Sequence, residues 1–390
     1  GALFSDGGVI TVLGGQINSF SAQYGGAVYL KSGRLTINDG IISDCGAELG
    51  GAVYVDSGIL EISGGIIGEY KGIDSYGGAV TRGAKNIAEL SGGGVFINSG
   101  QAILSGGYIS GNTAERGGGL YADENASLTF SGVAFVCNEA EFGGAVYNRG
   151  NGHSAYIKVN DNTAERGGGV FNEGNISFMN GDVSGNTASH GGAVLNEGVF
   201  VLSYGSITGN SADFGGGVFN DGHFSFSGGV IGHSTAVPGT VGTAVFNRGD
   251  FYMNAAAFVY EDSSVALIRT SEGFNRIEVG ELNGADIAAY IEVYDEMSDS
   301  NGNFIYRQNS KAGTVLIESD SAENIALAAS HLRVRDGKYT IGLSASGEIL
   351  FYVKRWMIVT AVTVIILLSI IVTVLVIGIK KYNLGKMSRH

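Results

Sequence analysis

The sequence predicts an all-β chain: a right-handed parallel β-helix of about ten coils, each with a period of about 25 residues, an irregular β C-terminal cap and a single transmembrane α-helix. Three ladders of residues in one register predict the β-helix. The first is a glycine pair or triplet ahead of an apolar residue, starting at Gly25, Gly50, Gly77, Gly92, Gly117, Gly143, Gly167, Gly191 and Gly215, with a degraded copy at Gly242. The second has the form apolar-x-x-Asn and ends at Asn112, Asn138, Asn162, Asn186 and Asn210. The third is Asn-x-Gly, from Asn148, Asn172, Asn196, Asn220 and Asn247. A fixed period of this length is the mark of a repeat architecture in which each unit buries its apolar face against its neighbours.

Residues 1–250 carry the repeat. Each period holds three short apolar runs, such as Ala145-Val146-Tyr147, Ile176-Ser177-Phe178 and Asp182-Val183-Ser184. The runs are rich in β-branched and aromatic residues and are bounded by Gly or Asn, which accept left-handed backbone. The glycines and the lack of a helical period exclude helix. Three short strands per period, each pairing with its copy in the next coil, account for the pattern. Stacking then sets Val146, Val170, Val194, Val218 and Val245 inward as one aliphatic column. The Asn two positions on shares that face, where its amide can satisfy backbone groups of neighbouring coils. Tyr147, Phe171, Phe219 and Phe246 then form an exposed ladder on the other face, whereas the opposite phase would bury them.

The glycine pairs recur at nearly even steps, with one exception: Gly92 follows Gly77 far too closely. The short step makes Gly50 to Gly92 one period with an insertion near residues 69–90. Gly1-Ala2-Leu3-Phe4 matches the register of Gly26-Ala27-Val28-Tyr29, so the chain reads as beginning inside a repeat, as a fragment or processed product does.

From Asp250 the glycine pairs fade. Residues 251–353 keep short strand-like runs, such as Arg276-Ile277-Glu278-Val279, and read as irregular terminal coils or a β-cap. A solenoid needs a cap because its last coil is an open sheet edge. Trp356 to Ile379 (residues 356–379) run without a charge. As a helix they reach about 36 Å, enough for a hydrocarbon core of about 30 Å. Lys380, Lys381, Lys386 and Arg389 follow in residues 380–390 and favour a cytoplasmic tail, which puts the β-helix outside a cell membrane crossed once.

Composition excludes other classes. The chain has 66 Gly in 390 residues but one Pro, which rules out collagen, and 44% hydrophobic residues, which argues against disorder. A net charge of −14 disfavours nucleic acid as a partner. Cys45 and Cys137 fall at different repeat positions several coils apart, beyond disulfide reach, and read as small buried hydrophobes.

Phe135-Val136-Cys137-Asn138 followed by Gly143-Gly144-Ala145-Val146 resembles the paired tetrapeptides of the chlamydial-type polymorphic outer-membrane proteins. The resemblance covers about residues 1–250. It implies a surface β-helix that works in adhesion. The C-terminus departs from it, because those proteins end in an outer-membrane barrel.

Enzyme chemistry has little in the sequence to stand on. Glu115-Arg116 and Glu165-Arg166 recur in the same heptapeptide and read as solvated ion pairs. His153, His190, His223, His233, His331 and His390 lack metal-ligand spacing, and Asp295, Glu296, Asp299 and Asp320 form no calcium loop. The glycine-rich turns lack phosphate-loop spacing. No catalytic residue, metal or cofactor is therefore expected. The expected partners are the membrane and a glycan or protein of a host or neighbouring cell. The alternative is a polysaccharide lyase or glycosidase whose catalytic part lies outside the sequence or in the insertion.

Overall fold

The structure, a computed structural model, describes residues 1–73, 79–260, 262–270, 273–274, 277–282, 289–298, 304–308, 315–318, 332–334, 339–343 and 349–353. Each coil contributes one strand to each of three parallel sheets, and the chain is an all-β parallel solenoid of about ten turns. In the first sheet like residues pair from coil to coil: Leu3, Val28, Val53, Val95, Leu120, Val146, Val170, Val194, Val218 and Val245. In the second sheet Leu128 pairs with Gly152, then Ile176, Phe200, Phe224 and Phe251 follow in register. The third aligns Ile17, Ile42, Ile67, Ile109, Phe135, Val159, Val183, Ile207 and Ile231. The side chains of these columns meet in one continuous interior core. Removing this apolar area from water supplies the main stabilisation.

Two columns of asparagine run through that core. Asn138 donates from Nδ2 to Asn162 Oδ1 at 3.0 Å and to the Ile109 carbonyl at 2.9 Å. Its backbone N–H bonds the same Oδ1 at 2.9 Å, so one side chain ties three coils together. Asn112, Asn162 and Asn186 repeat the arrangement, Asn210 ends the column by accepting from Asn186 and donating to the Val183 carbonyl, and Asn86 joins at the top by donating to Asn112 at 2.9 Å. The second column, Asn148, Asn172, Asn196, Asn220 and Asn247, closes the turn after the first strand by donating to the glycine carbonyl two residues on, and links the coils through Nδ2–Oδ1 bonds of 2.7–2.8 Å. All ten predicted ladder asparagines are at most 1% exposed. Buried amides of this kind have to be paired, and coil-to-coil identity pairs them, except at Asn148 Oδ1, which has no partner because Ala122 is its neighbour in the preceding coil.

The glycine pair serves two separate needs. Gly167 has φ +67°, and an added Cβ would lie 2.5 Å from the Val170 carbonyl oxygen. At Gly168 a Cβ would fall 2.4 Å from the Gly192 oxygen of the next coil, a close approach that only glycine permits.

Between Gly50 and Gly92 the coil makes an excursion. Tyr70–Ile73 and Ala79–Arg82 pair as an antiparallel hairpin outside the main sheets. Ile87 is already back in register, opposite Gly46 on one side and Thr113 on the other. The extra chain is thus residues 69–85, and residues 86–90 belong to the coil.

Beyond Asp250 parallel pairing continues through Val265, Ile291 and Val334 of the first sheet. Antiparallel pairs then take over: Val315 with Leu350, and Tyr339–Leu343 with Ile349–Val353.

Cys45 is buried, but Cys137 is exposed, and both are free. The expectation of two buried thiols fails at Cys137. This residue occupies the left-handed corner before Asn138, with φ +54°, and the corner carries its side chain outward. Among the described residues no helix is long and apolar enough to cross a membrane. The expected span Trp356 to Ile379 and the basic tail 380–390 lie outside the described residues.

Candidate functional site

The aromatic residues of the first strand lie on the face opposite the inward valines and form a second apolar cluster. They were expected to be an exposed ladder, and this is corrected: Tyr147 is 7% exposed, Phe171 2%, Phe219 4% and Phe246 0%. The cause is the coil repeat itself. Tyr121 stacks on Tyr147 at 5.2 Å, Tyr147 on Phe171 at 4.8 Å, and Phe219 on Phe246 at 4.8 Å, so each ring hides its neighbour's faces. Tyr54 and Phe96 extend the stack upward at 5.1 Å. Leu195 interrupts it between Phe171 and Phe219.

Two rows of side chains flank the stack. One comes from the residue just before the glycine pair, where Arg116, Phe142 and Arg166 sit in adjacent coils. The other comes from the middle residue of the Asn-x-Gly turn: Arg149, Glu173 and Glu197. Over Tyr121, Tyr147 and Phe171 these rows enclose a groove of about 380 Å³.

Its walls are ion-paired across coils. Arg149 bridges Asp123 at 2.8 Å and Glu173 at 3.1 Å, and also contacts Glu124. Arg166 bonds Glu197 at 2.9 Å and lies 5.4 Å over the Phe171 ring, a cation–π contact. It pairs there and not with its sequence neighbour Glu165, which corrects the expectation of two equivalent pairs. Arg116 does bond Glu115, at 3.4 Å, with both side chains well exposed, a contact that contributes little.

Burial sets the protonation of the floor. It pushes the Tyr147 phenol up, and the neighbouring Glu173 carboxylate adds to the shift. Burial likewise raises Tyr121, with the Arg149 hydrogen bond pulling partly back. Glu197 is raised by burial against the pull of Arg166. The groove therefore presents neutral phenols, guanidinium donors and carboxylate acceptors over an aromatic base, a set suited to reading hydroxyl-rich or charged ligands.

The remaining candidates do not converge. His233 bonds Asp262 at 2.7 Å and His223 lies 4.0 Å from Asp250, each on the outside of the rod. Asp295 pairs with Arg269 and Glu296 with Arg248, while Asp299, Asp320, His331 and His390 lie outside the described residues. Among the described residues no three His, Cys, Asp or Glu side chains are grouped as a metal site.

Sequence reasoning missed Arg149, Glu173 and Glu197 as site residues. They occupy the variable position of a motif whose fixed positions drew attention. Their signal was that this position is charged in all five copies of the motif: Arg149, Glu173, Glu197, Asp221, Arg248. Comparison with protein families, with curated proteins and with solved structures finds no match to the chain.

Proposed function

We propose that this chain is a surface-interaction protein: a β-solenoid rod held by a membrane span at residues 356–379 that displays a glycan- or protein-binding face outside the cell. The observation that carries the reading is the groove over Tyr121, Tyr147 and Phe171, walled by charged side chains from several coils. The repeat holds the aromatic floor on stacked strands and the charged walls on the turns and bridges beside them, which reduces the ordering cost of binding. The resemblance of residues 135–146 to surface β-helix adhesins supports the same reading. A glycan-binding screen of the full chain in detergent tests it. Binding weakened at least tenfold by Arg166→Ala supports the groove as the contact surface. A screen without any binder, or binding untouched by that change, overturns it.

A second reading is favoured by one feature. Glu173 and Glu197 line the same groove, and burial raises Glu197 above an ordinary carboxyl, the state a general acid needs. Release of reducing sugar that disappears in Glu197→Gln would make the chain a carbohydrate-active enzyme.

A further inference from the structure

The three arginines of the groove lining are not equally neutralised. Arg149 is held by Asp123, Glu124 and Glu173, and Arg166 by Glu197. Arg116 is left with only its neighbour Glu115, at 3.4 Å and on the exposed rim. A guanidinium held only by that one exposed contact, at one end of the groove, stands out in a chain of net charge −14, whose general field repels anions.

Away from Arg116 the lining changes character. The Tyr147 phenol one coil on, and Glu197 two coils beyond it, offer a hydroxyl and an acceptor, suited to ring hydroxyls. Phe142 stands between Arg116 and Arg166 in the corner row and meets Phe171 edge-on at 5.8 Å, giving an apolar ridge for a sugar face. We infer that the groove selects an acidic saccharide, with one ligand carboxylate or sulfate held by Arg116 and the ring hydroxyls held by Glu197 and Tyr147. Arginine suits this role because its planar fork pairs bidentately with either anion. The inference rests on the groove being the binding site.

The test separates the two. Tri-galacturonate, its fully methyl-esterified form and a sulfated trisaccharide are titrated against the full chain in detergent, and against Arg116→Gln and Arg116→Lys. The expected result is that the acid binds about tenfold tighter than the ester, the value of one charge-assisted contact. That ratio should shrink as salt rises, fall to near one in Arg116→Gln and recover in part in Arg116→Lys. Preference for the sulfated sugar over the ester, lost in Arg116→Gln, supports the inference equally. Acid and ester bound alike would overturn it while leaving the groove as a glycan site. A preference for acid that survives Arg116→Gln would also overturn it, by placing the anion elsewhere. Should no saccharide bind while a protein ligand does so in an Arg166-dependent way, the inference fails and the groove reading stands.

Discussion

Asn172 donates from Nδ2 to Oδ1 of Asn196, one coil away, at 2.8 Å. The same amide nitrogen bonds the Gly174 and Val199 carbonyls, and its Oδ1 accepts from Asn148. Asn172→Ala therefore leaves the buried Asn196 Oδ1 without its donor and breaks the coil-to-coil link from Asn148. The expected cost is about 3 kcal/mol, at the upper end for an unpaired buried group. Denaturant unfolding of Asn172→Ala beside exposed Asn175→Ala checks this, and equal losses would contradict the ladder's role.

Phe171 is covered on the outer face, so its truncation should behave as a core change. Phe171→Ala is expected to cost about 3–4 kcal/mol through the cavity between Tyr147 and Phe142. Phe171→Leu should cost about 1 kcal/mol, because Leu195 already fills the aligned rung. A truly exposed ring would show almost no loss in either variant.

The glycines are not equivalent. Gly168→Ala drives a methyl into the Gly192 and Thr187 backbone oxygens at 2.4 and 2.6 Å, which must force the coils apart. Gly209 has φ +66° but open space around its Cβ position. Gly209→Ala should thus cost only the left-handed strain of about 1–2 kcal/mol. Gly209→Asn should cost less still, since Asp161 holds φ +57° at the aligned corner. Melting temperatures in the order Gly209→Asn, Gly209→Ala, Gly168→Ala, from highest to lowest, are expected.

Alkaline pH should loosen the aromatic stack. Burial, with Asp56 next in effect, pushes the Tyr54 phenol from 10.0 to about 12. The folded state keeps this proton after the unfolded chain has lost it. The stabilisation is complete below pH 10.0 and is lost as pH rises through about 12. Tyr54→Phe should flatten that alkaline limb, and the stacked Phe96 in the next coil shows that a plain ring fits. An unchanged limb would exclude Tyr54 as its source.

The excursion in the third coil should be dispensable. Removing residues 69–84 shortens the step from Gly50 to Gly92 until it equals that from Gly117 to Gly143. It leaves Ile67-Gly68-Lys85-Asn86, which restores the apolar-x-x-Asn pattern with Asn86 already in the ladder. With Lys85→Gly to accept the left-handed corner, stability should stay within about 1 kcal/mol of the parent. Loss of the β signal in circular dichroism would show that the hairpin holds the coil together.

The asparagine ladders and the valine column were legible because a parallel solenoid sets identical repeat positions on one another. A residue type needed at one level is needed at all, so Val146 and Asn172 announce themselves by recurrence. Asn86 escaped notice because the excursion before it displaced it from the period, although its bonds are those of the other members. The groove was not legible for the opposite reason. Its residues come from two repeat positions that vary, and Arg166 reaches Glu197 across a sequence separation that is no multiple of the period.

The sequence by itself determined the period and the pairing register, since both follow from recurrence along one dimension, while which face of the first strand turns inward stayed open between two phases. Only the tertiary structure decided that the outer aromatics are covered, that Cys137 projects outward and that one guanidinium is left without a strong partner beside two neutralised ones. Those outcomes depend on contacts between rings and charges about 5 Å apart in adjacent coils. Such contacts exist only once the coils are stacked, and no spacing in the chain encodes which side chain will shield or neutralise another.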